Sequence, residues 1–202
     1  MKIIFATGNK DKMREIREIT AGTKLEVVSM KEAGFDLEPE ETGNTFEQNA
    51  LIKARALNLA SGALTFADDS GLEIDFLDKA PGIYSSRFLG VDTDYEYKNN
   101  YILEKLKDVR KERRTARYVC AVAAVYPNGH EEVVRECFEG YIAFEQKGTN
   151  GFGYDPIFFV PEFNKTAAEL TPEEKNAVSH RGKALRRMVE IVLSDEKEGF
   201  KG

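Results

Sequence analysis

Phe66-Ala67-Asp68-Asp69-Ser70-Gly71-Leu72-Glu73-Ile74 carries more of this chain's architecture and chemistry than any other stretch. Two adjacent carboxylates, a hydroxyl and a glycine interrupt sequence that otherwise has the apolar character of β-structure. Read as punctuation, they form an acidic turn between a strand over 64–67 and another over 72–77, because Asp, Ser and Gly are common turn formers. Read as chemistry, they form an ion site. Neighbouring ionised carboxylates repel, so a fold that sets them between apolar strands supplies a cation or a proton. An oxygen-rich group suits Mg²⁺, which keeps several waters and binds through one or two carboxylates plus substrate phosphates. The stretch by itself leaves both readings open.

Around it the chain alternates strand and helix signals. Lys2-Ile3-Ile4-Phe5-Ala6 reads as a short buried strand, Thr7-Gly8-Asn9-Lys10 as a turn, and Met13, Ile16 and Ile19 then recur at helical spacing. Leu25-Glu26-Val27-Val28 is a second strand. Thr45-Phe46-Glu47-Gln48 has capping-box spacing and predicts a helix to Ser61. Asp94 caps a helix over 95–106. The nearly continuous apolar run from Tyr118 to Tyr126 is a central strand buried on both faces. Pro127-Asn128-Gly129-His130 is a hairpin turn, with Glu131 to Phe138 returning antiparallel. Thr171-Pro172-Glu173-Glu174 opens a helix with proline at its first position, and Ser179 caps the last helix, whose core face is Leu185, Met188 and Val192. No repeat, linker or low-complexity tract interrupts this pattern. A single α/β domain on a mixed sheet is the expected fold.

The chain has 202 residues, enough for one sizeable domain with its own core. Its 42% apolar fraction is ordinary for a globular protein. No apolar run approaches the roughly 20 residues that span a bilayer, and Met1 leads into a charged short-strand pattern rather than a signal peptide. A net charge of −6 gives no footprint for a polyanion, so a nucleic-acid or membrane partner is not expected. A single nucleotide needs only a local cluster of cations. Cys120 and Cys137 lack metal-ligand spacing and fit reduced thiols of a cytoplasmic protein.

Four further constellations carry chemistry. Thr7-Gly8-Asn9-Lys10-Asp11-Lys12 joins a strand to a helix, where backbone N–H groups, a hydroxyl and lysines can take a phosphate. It lacks the glycines of a P-loop, and its lysines are equally readable as solvated. Glu40 and Glu41 bring a further carboxylate to a metal or merely favour the following helix. Lys53, inside that helix, either snorkels to the surface or faces the acidic pair. Gly148-Thr149-Asn150-Gly151-Phe152-Gly153-Tyr154-Asp155-Pro156 combines close backbone approach with aromatic platforms for a base. Lys175 precedes Ser179-His180-Arg181-Gly182, which sets cations in a first helical turn against the helix dipole; such local conflicts mark sites. With His130 in a hairpin turn and His180 the only other histidine, a Ser-His-Asp hydrolase has no support.

Taken together these segments resemble the inosine/xanthosine triphosphate pyrophosphatases, which clear non-standard purine nucleotides. The matching stretches are Ala6-Thr7-Gly8-Asn9 with Lys12, Glu41-Thr42-Gly43-Asn44-Thr45-Phe46 with Asn49-Ala50 and Lys53-Ala54, and Ala67-Asp68-Asp69-Ser70-Gly71-Leu72. Ala80-Pro81-Gly82-Ile83-Tyr84-Ser85 with Arg87-Phe88, Gly151-Phe152-Gly153-Tyr154-Asp155-Pro156, and Lys175 with Ser179-His180-Arg181-Gly182 complete the series. The resemblance implies an elongated single α/β domain over residues 1–202. A long central mixed sheet would be flanked by helices, with two lobes around a nucleotide cleft, and a homodimer in the cytoplasm is expected. It implies Mg²⁺-dependent hydrolysis of ITP, dITP and XTP to the monophosphate and pyrophosphate. Residue by residue, Thr7, Gly8, Asn9, Lys10, Asp11 and Lys12 would hold the triphosphate, with Lys53 and Ser70 near it. Asp69 would be the catalytic base and a metal ligand. Phe152, Gly153, Tyr154, Asp155, Lys175, His180 and Arg181 would bind and select the base. Glu40 and Glu41 both fit the second acidic ligand; Glu40 is taken, with Glu41 and Asp68 behind it. Two rivals stand beside this reading: a related pyrophosphatase acting on dTTP or UTP, and a non-catalytic nucleotide-binding regulator.

Overall fold

The computed structural model describes residues 1–197. Among the described residues, seven strands form one mixed sheet in the order β2-β1-β3-β4-β5-β6-β7, accompanied by five α-helices. The strands are β1 (Lys2–Phe5), β2 (Glu26–Ser29), β3 (Thr65–Ile74), β4 (Thr115–Val125), β5 (Glu131–Ile142), β6 (Phe158–Val160) and β7 (Lys165–Thr166). The helices are α1 (Lys10–Thr20), α2 (Phe46–Ser61), α3 (Tyr95–Lys105), α4 (Pro172–Val178) and α5 (His180–Lys197). β1 pairs in parallel with β2 and with β3, whereas β6 runs antiparallel to β5 and to β7. No helix among the described residues is long and apolar enough to cross a membrane.

The chain packs as two compact units. Among the described residues, the first comprises 1–69, 120–136 and 181–197; the second comprises 70–119 and 137–180. In the first, Ile3 and Phe5 of β1, Phe66 of β3 and Val122 of β4 pack against Met13 and Ile16 of α1 and against Leu185, Met188 and Val192 of α5. In the second, Leu72, Ile74, Tyr118, Phe138 and Phe158 from the sheet enclose Ile102 and Leu106 of α3 and its C-terminal end.

Helix boundaries follow the caps. Asn9 accepts from the N–H groups of Asp11 and Lys12 and starts α1. Thr45 accepts from Gln48 N–H to start α2, but the Gln48 side chain reaches back to Asn44 N–H rather than Thr45, so the expected box closes one residue early. Asp94 caps α3, and Thr171 with Glu174 forms a complete capping box on α4. Ser179 lies in extended backbone between α4 and α5.

One expectation is overturned. No turn separates two strands at the acidic pair: β3 runs unbroken from Thr65 to Ile74, through Asp68, Asp69, Ser70 and Gly71, and gives way to a 3₁₀ turn over Asp75–Leu77. Turn-forming residue types lose here to a strand held within the sheet, with cations meeting the carboxylates.

Candidate active site

Because β3 is continuous, successive side chains point to opposite faces of the sheet. Asp68 shares a face with Phe66, the face covered by α1 and α5. Asp69 turns the other way, toward α2. The peptide geometry thereby separates two carboxylates that the sequence sets side by side.

Asp68 is 1% exposed and meets cations from two helices. Lys12 Nζ lies 3.0 Å from Asp68 Oδ2, and Arg181 Nε lies 3.3 Å from the same oxygen. Burial alone would raise the Asp68 pKa, but Lys12, Arg181 and Lys53 outweigh it and hold the carboxyl well below the usual carboxylate range. Arg181, 3% exposed, also donates from Nη1 to Glu15 of α1. Burial disfavours its charge, yet Asp68 and Glu15 outweigh that and raise its pKa further. The thiol of Cys120 near this group is pushed up to about 12, chiefly by burial, and takes no part as a nucleophile at neutral pH.

Asp69 has the opposite balance. Burial raises its pKa; Lys53 and Lys12 pull it down, Glu41 pushes it back up, and the outcome lies above the ordinary value. Lys53 does not snorkel to solvent. Its Nζ lies 2.7 Å from Glu41 Oε1 and 3.3 Å from Asp69 Oδ1. Asn49, one turn earlier on α2, donates to Asp69 Oδ2 at 3.2 Å and accepts Gly43 N–H at 2.9 Å. Glycine is required at position 43, since a Cβ there would sit 2.6 Å from Asn49 Oδ1. Glu40, the acid favoured from sequence, is exposed, and its neighbour Glu41 turns inward to Lys53.

In the turn before α1, Thr7 Oγ1 accepts Asn9 N–H, and Asn9 Oδ1 takes two helix N–H groups. Both side chains thus shape the loop. Lys10 is exposed and Asp11 pairs with Arg14, so Lys12 alone of the three charged residues reaches the acidic strand. Gly8, exposed, lies within this same turn.

In the second unit Asp155 is the centre. It is 2% exposed; its Oδ2 accepts from Phe152 N–H at 2.8 Å and Lys175 Nζ at 2.7 Å, and its Oδ1 accepts from the Tyr118 hydroxyl at 3.2 Å. Lys175 Nζ also stands 5.0 Å above the centre of the half-buried Phe152 ring. His180 stacks on Tyr118, with ring centres 4.8 Å apart and planes within 9°. Tyr154, in contrast, is consumed by the loop itself. Its hydroxyl donates to Ser85 O at 2.8 Å and its ring packs edge-on against Tyr95. Gly153 precedes Tyr154 with φ +70°, and Ser70 follows Asp69 along β3, half-buried.

The model of the Ham1 family matches residues 3–191. The chain belongs to the Ham1 family. A dITP/XTP pyrophosphatase of Exiguobacterium sibiricum is 50% identical over 188 residues, covering 93% of this chain and 95% of that protein. One of the same name from Bacillus subtilis is 46% identical over 189 residues, covering 94% and 96%. Among solved structures, a HAM1 protein from Coxiella burnetii superposes with a TM-score of 0.86 at 39% identity, covering 96% of this chain and 99% of that one.

Three residues of this Ham1 chain escaped the sequence reading of its site: Glu15, Asn49 and Tyr118. Glu15 stands beside Ile16 on the buried side of α1, so a carboxylate on an apolar helix face was its one signal. Tyr118 lies in a run of core residues with nothing to mark it, and Asn49, although it stands in one of the matching stretches, has no site role assigned from sequence. Among the described residues no group of three His, Cys, Asp or Glu side chains clusters as a complete metal cage does. The donors present nevertheless suit Mg²⁺: two carboxylates, Glu41 and Asp69, converge on one ammonium, and a hard cation takes one or two such oxygens plus phosphate.

Proposed function

We propose that this protein hydrolyses non-standard purine nucleoside triphosphates, dITP, ITP and XTP, to the monophosphate and pyrophosphate with Mg²⁺. The observation that carries the reading is the division of labour at Asp68-Asp69 in a chain closely related to proteins named dITP/XTP pyrophosphatase. Asp68 is locked in two ion pairs and serves as a fixed anion. Asp69, its pKa raised by burial, is a better proton acceptor near neutral pH than an ordinary aspartate, because base strength follows pKa. It takes the proton of the attacking water, while Asn49 orients its carboxylate.

Glu41 and Asp69 would hold the metal, with Glu41 replacing Glu40 in that role. Bound there, Mg²⁺ supplies charge neutralisation on the phosphate oxygens. Lys12 and Lys53 add positive charge on the phosphate side, and most of the remaining work is positioning. In the second unit, Phe152 offers a ring for stacking, and Lys175 and His180 offer donors to a 6-oxo purine; the resemblance assigns Arg181 to the base as well. An adenine 6-amino group facing such donors leaves a buried polar group unpaired, which costs roughly 1–3 kcal/mol. The same reading takes the protein to be a cytoplasmic homodimer without a nucleic-acid partner.

A substrate panel tests this: pyrophosphate release from ITP, XTP, dITP, ATP, GTP, dTTP and UTP, each with Mg²⁺ and with a chelator. Metal-dependent turnover confined to ITP, dITP and XTP is expected. Preference for dTTP or UTP would replace the substrate class, and binding without turnover would make the protein a nucleotide sensor.

A further inference from the structure

Asn99 sits in the middle of α3 and is 1% exposed. Its Nδ2 donates to the carbonyl of Gly153 at 3.2 Å, with Gln146 Oε1 at 3.5 Å on the same nitrogen. A carbonyl only accepts, so the amide is oriented by this contact. Gln146 in turn donates to Asn100 at 2.8 Å, so consecutive asparagines clasp the irregular segment around residues 146–153. Tyr95 adds the edge-on contact with Tyr154, at 5.1 Å between ring centres. Lys98 donates to Ser86 O at 2.8 Å beside the Ser85 carbonyl that holds the Tyr154 hydroxyl.

This arrangement is costly for a residue that only fills space. Asn99 Oδ1 is buried with no hydrogen-bond partner among the described residues, and a lone buried acceptor opposes folding. Asparagine is also a poor helix former. Ile102 of the same helix and Leu106 at its C-terminal end fill the core with apolar side chains. A locally unfavourable choice retained at a buried position points to function. What it secures is the carbonyl of Gly153, in a loop held elsewhere by Asp155 through Phe152 N–H and Lys175, by the Tyr154 hydroxyl on Ser85 O and by Asn150 on Leu170 O.

We propose that Asn99 is a positioning residue for purine selection: through Gly153 it holds the 150–155 loop in the shape that presents Phe152 and Lys175 to the base. This rests on the base-binding role proposed above. Asn99→Asp keeps the shape and removes the donor; Asn99→Ser removes the amide with little risk to the helix. For each, kcat and KM for ITP and ATP are measured, together with amide hydrogen exchange of residues 150–155. Both variants are expected to lose roughly tenfold of the ITP-over-ATP discrimination, mainly through a higher KM for ITP, with faster exchange in the loop. A space-filling role would scale both substrates alike and lower Tm; an unchanged ITP/ATP ratio in either folded variant overturns the proposal. A wild-type enzyme without ITP preference would refute the base-binding reading instead, and unchanged loop exchange would then refute the positioning role independently.

Discussion

Asp68 and Asp69 are joined by one peptide bond, face opposite sides of β3, and carry pKa shifts of opposite sign. Asp68 is held by Lys12 and Arg181 on one face; Asp69 meets Lys53 and Asn49 on the other. Strand pleating is thus the device that lets one acidic dipeptide carry a fixed anion on one face and a carboxyl of raised pKa on the other.

Asp69→Asn should lower kcat for ITP by about 10²–10⁴, the range lost with a general base. The amide is isosteric, so nucleotide binding measured by calorimetry should persist. Comparable steady-state rates in the two proteins would remove Asp69 from the chemistry.

Asp68 should govern acid stability. A carboxylate whose folded pKa lies below its unfolded value, here 3.8, contributes stability that is complete above that value and is lost as the pH falls through the folded one. Wild-type protein should therefore weaken steeply below about pH 4, and Asp68→Asn should show a shallower acid limb. Urea melts from about pH 6 to about pH 2 read this directly. Parallel limbs for both proteins would contradict the assignment.

Lys53→Met tests the base from its other side. Lys53 is the main influence lowering the Asp69 pKa against burial, so its loss should raise that pKa further. Asp69 works as a base only when ionised, and the acidic limb of kcat against pH should move to higher pH. A limb that stays in place, with only KM altered, would confine Lys53 to phosphate binding.

Much of this was legible in the residues. Asp94 and the Thr171/Glu174 box announced their helices because caps are local chemistry, and the apolar run ending at Tyr126 announced a buried strand. The acidic pair carries the local turn signals of Asp, Ser and Gly, whereas continuity of β3 is enforced by a sheet built from distant segments. A turn at this pair would not set Asp68 and Asp69 on opposed faces. Glu40 and Glu41 are chemically identical neighbours, and only the direction of the backbone before α2 decides which meets Lys53. Tyr154 and Phe152 are equivalent rings on paper; the Ser85 carbonyl takes one of them into the structure.

Arg181→Ala should both unfold the protein more easily and erode the ITP-over-ATP ratio. It removes a buried cation shared by two carboxylates, Asp68 and Glu15, and leaves Lys12 on Asp68. Breaking such a pair costs about 3–5 kcal/mol. Adding Glu15→Gln to Arg181→Ala should recover part of that loss, because the buried carboxylate that faced the guanidinium is then neutral. Strictly additive effects in the double-mutant cycle would show that the two residues are not coupled.

Gly151→Ala isolates the loop from its anchors. Gly151 has φ +72°, a region that side chains strain to enter, and a Cβ there would lie 2.1 Å from Asp155 Oδ2 and 3.2 Å from Lys175 Nζ. Alanine must therefore push the carboxylate off Phe152 N–H and Lys175, at a cost of roughly 1–3 kcal/mol for the backbone alone. The group around Lys53 and Asp69 is untouched by this change. kcat/KM for ITP should fall by about 10–100-fold while ATP hydrolysis changes little, converging the two substrates. Equal losses for ITP and ATP would mean that the Asp155 cluster serves the fold rather than the choice of base.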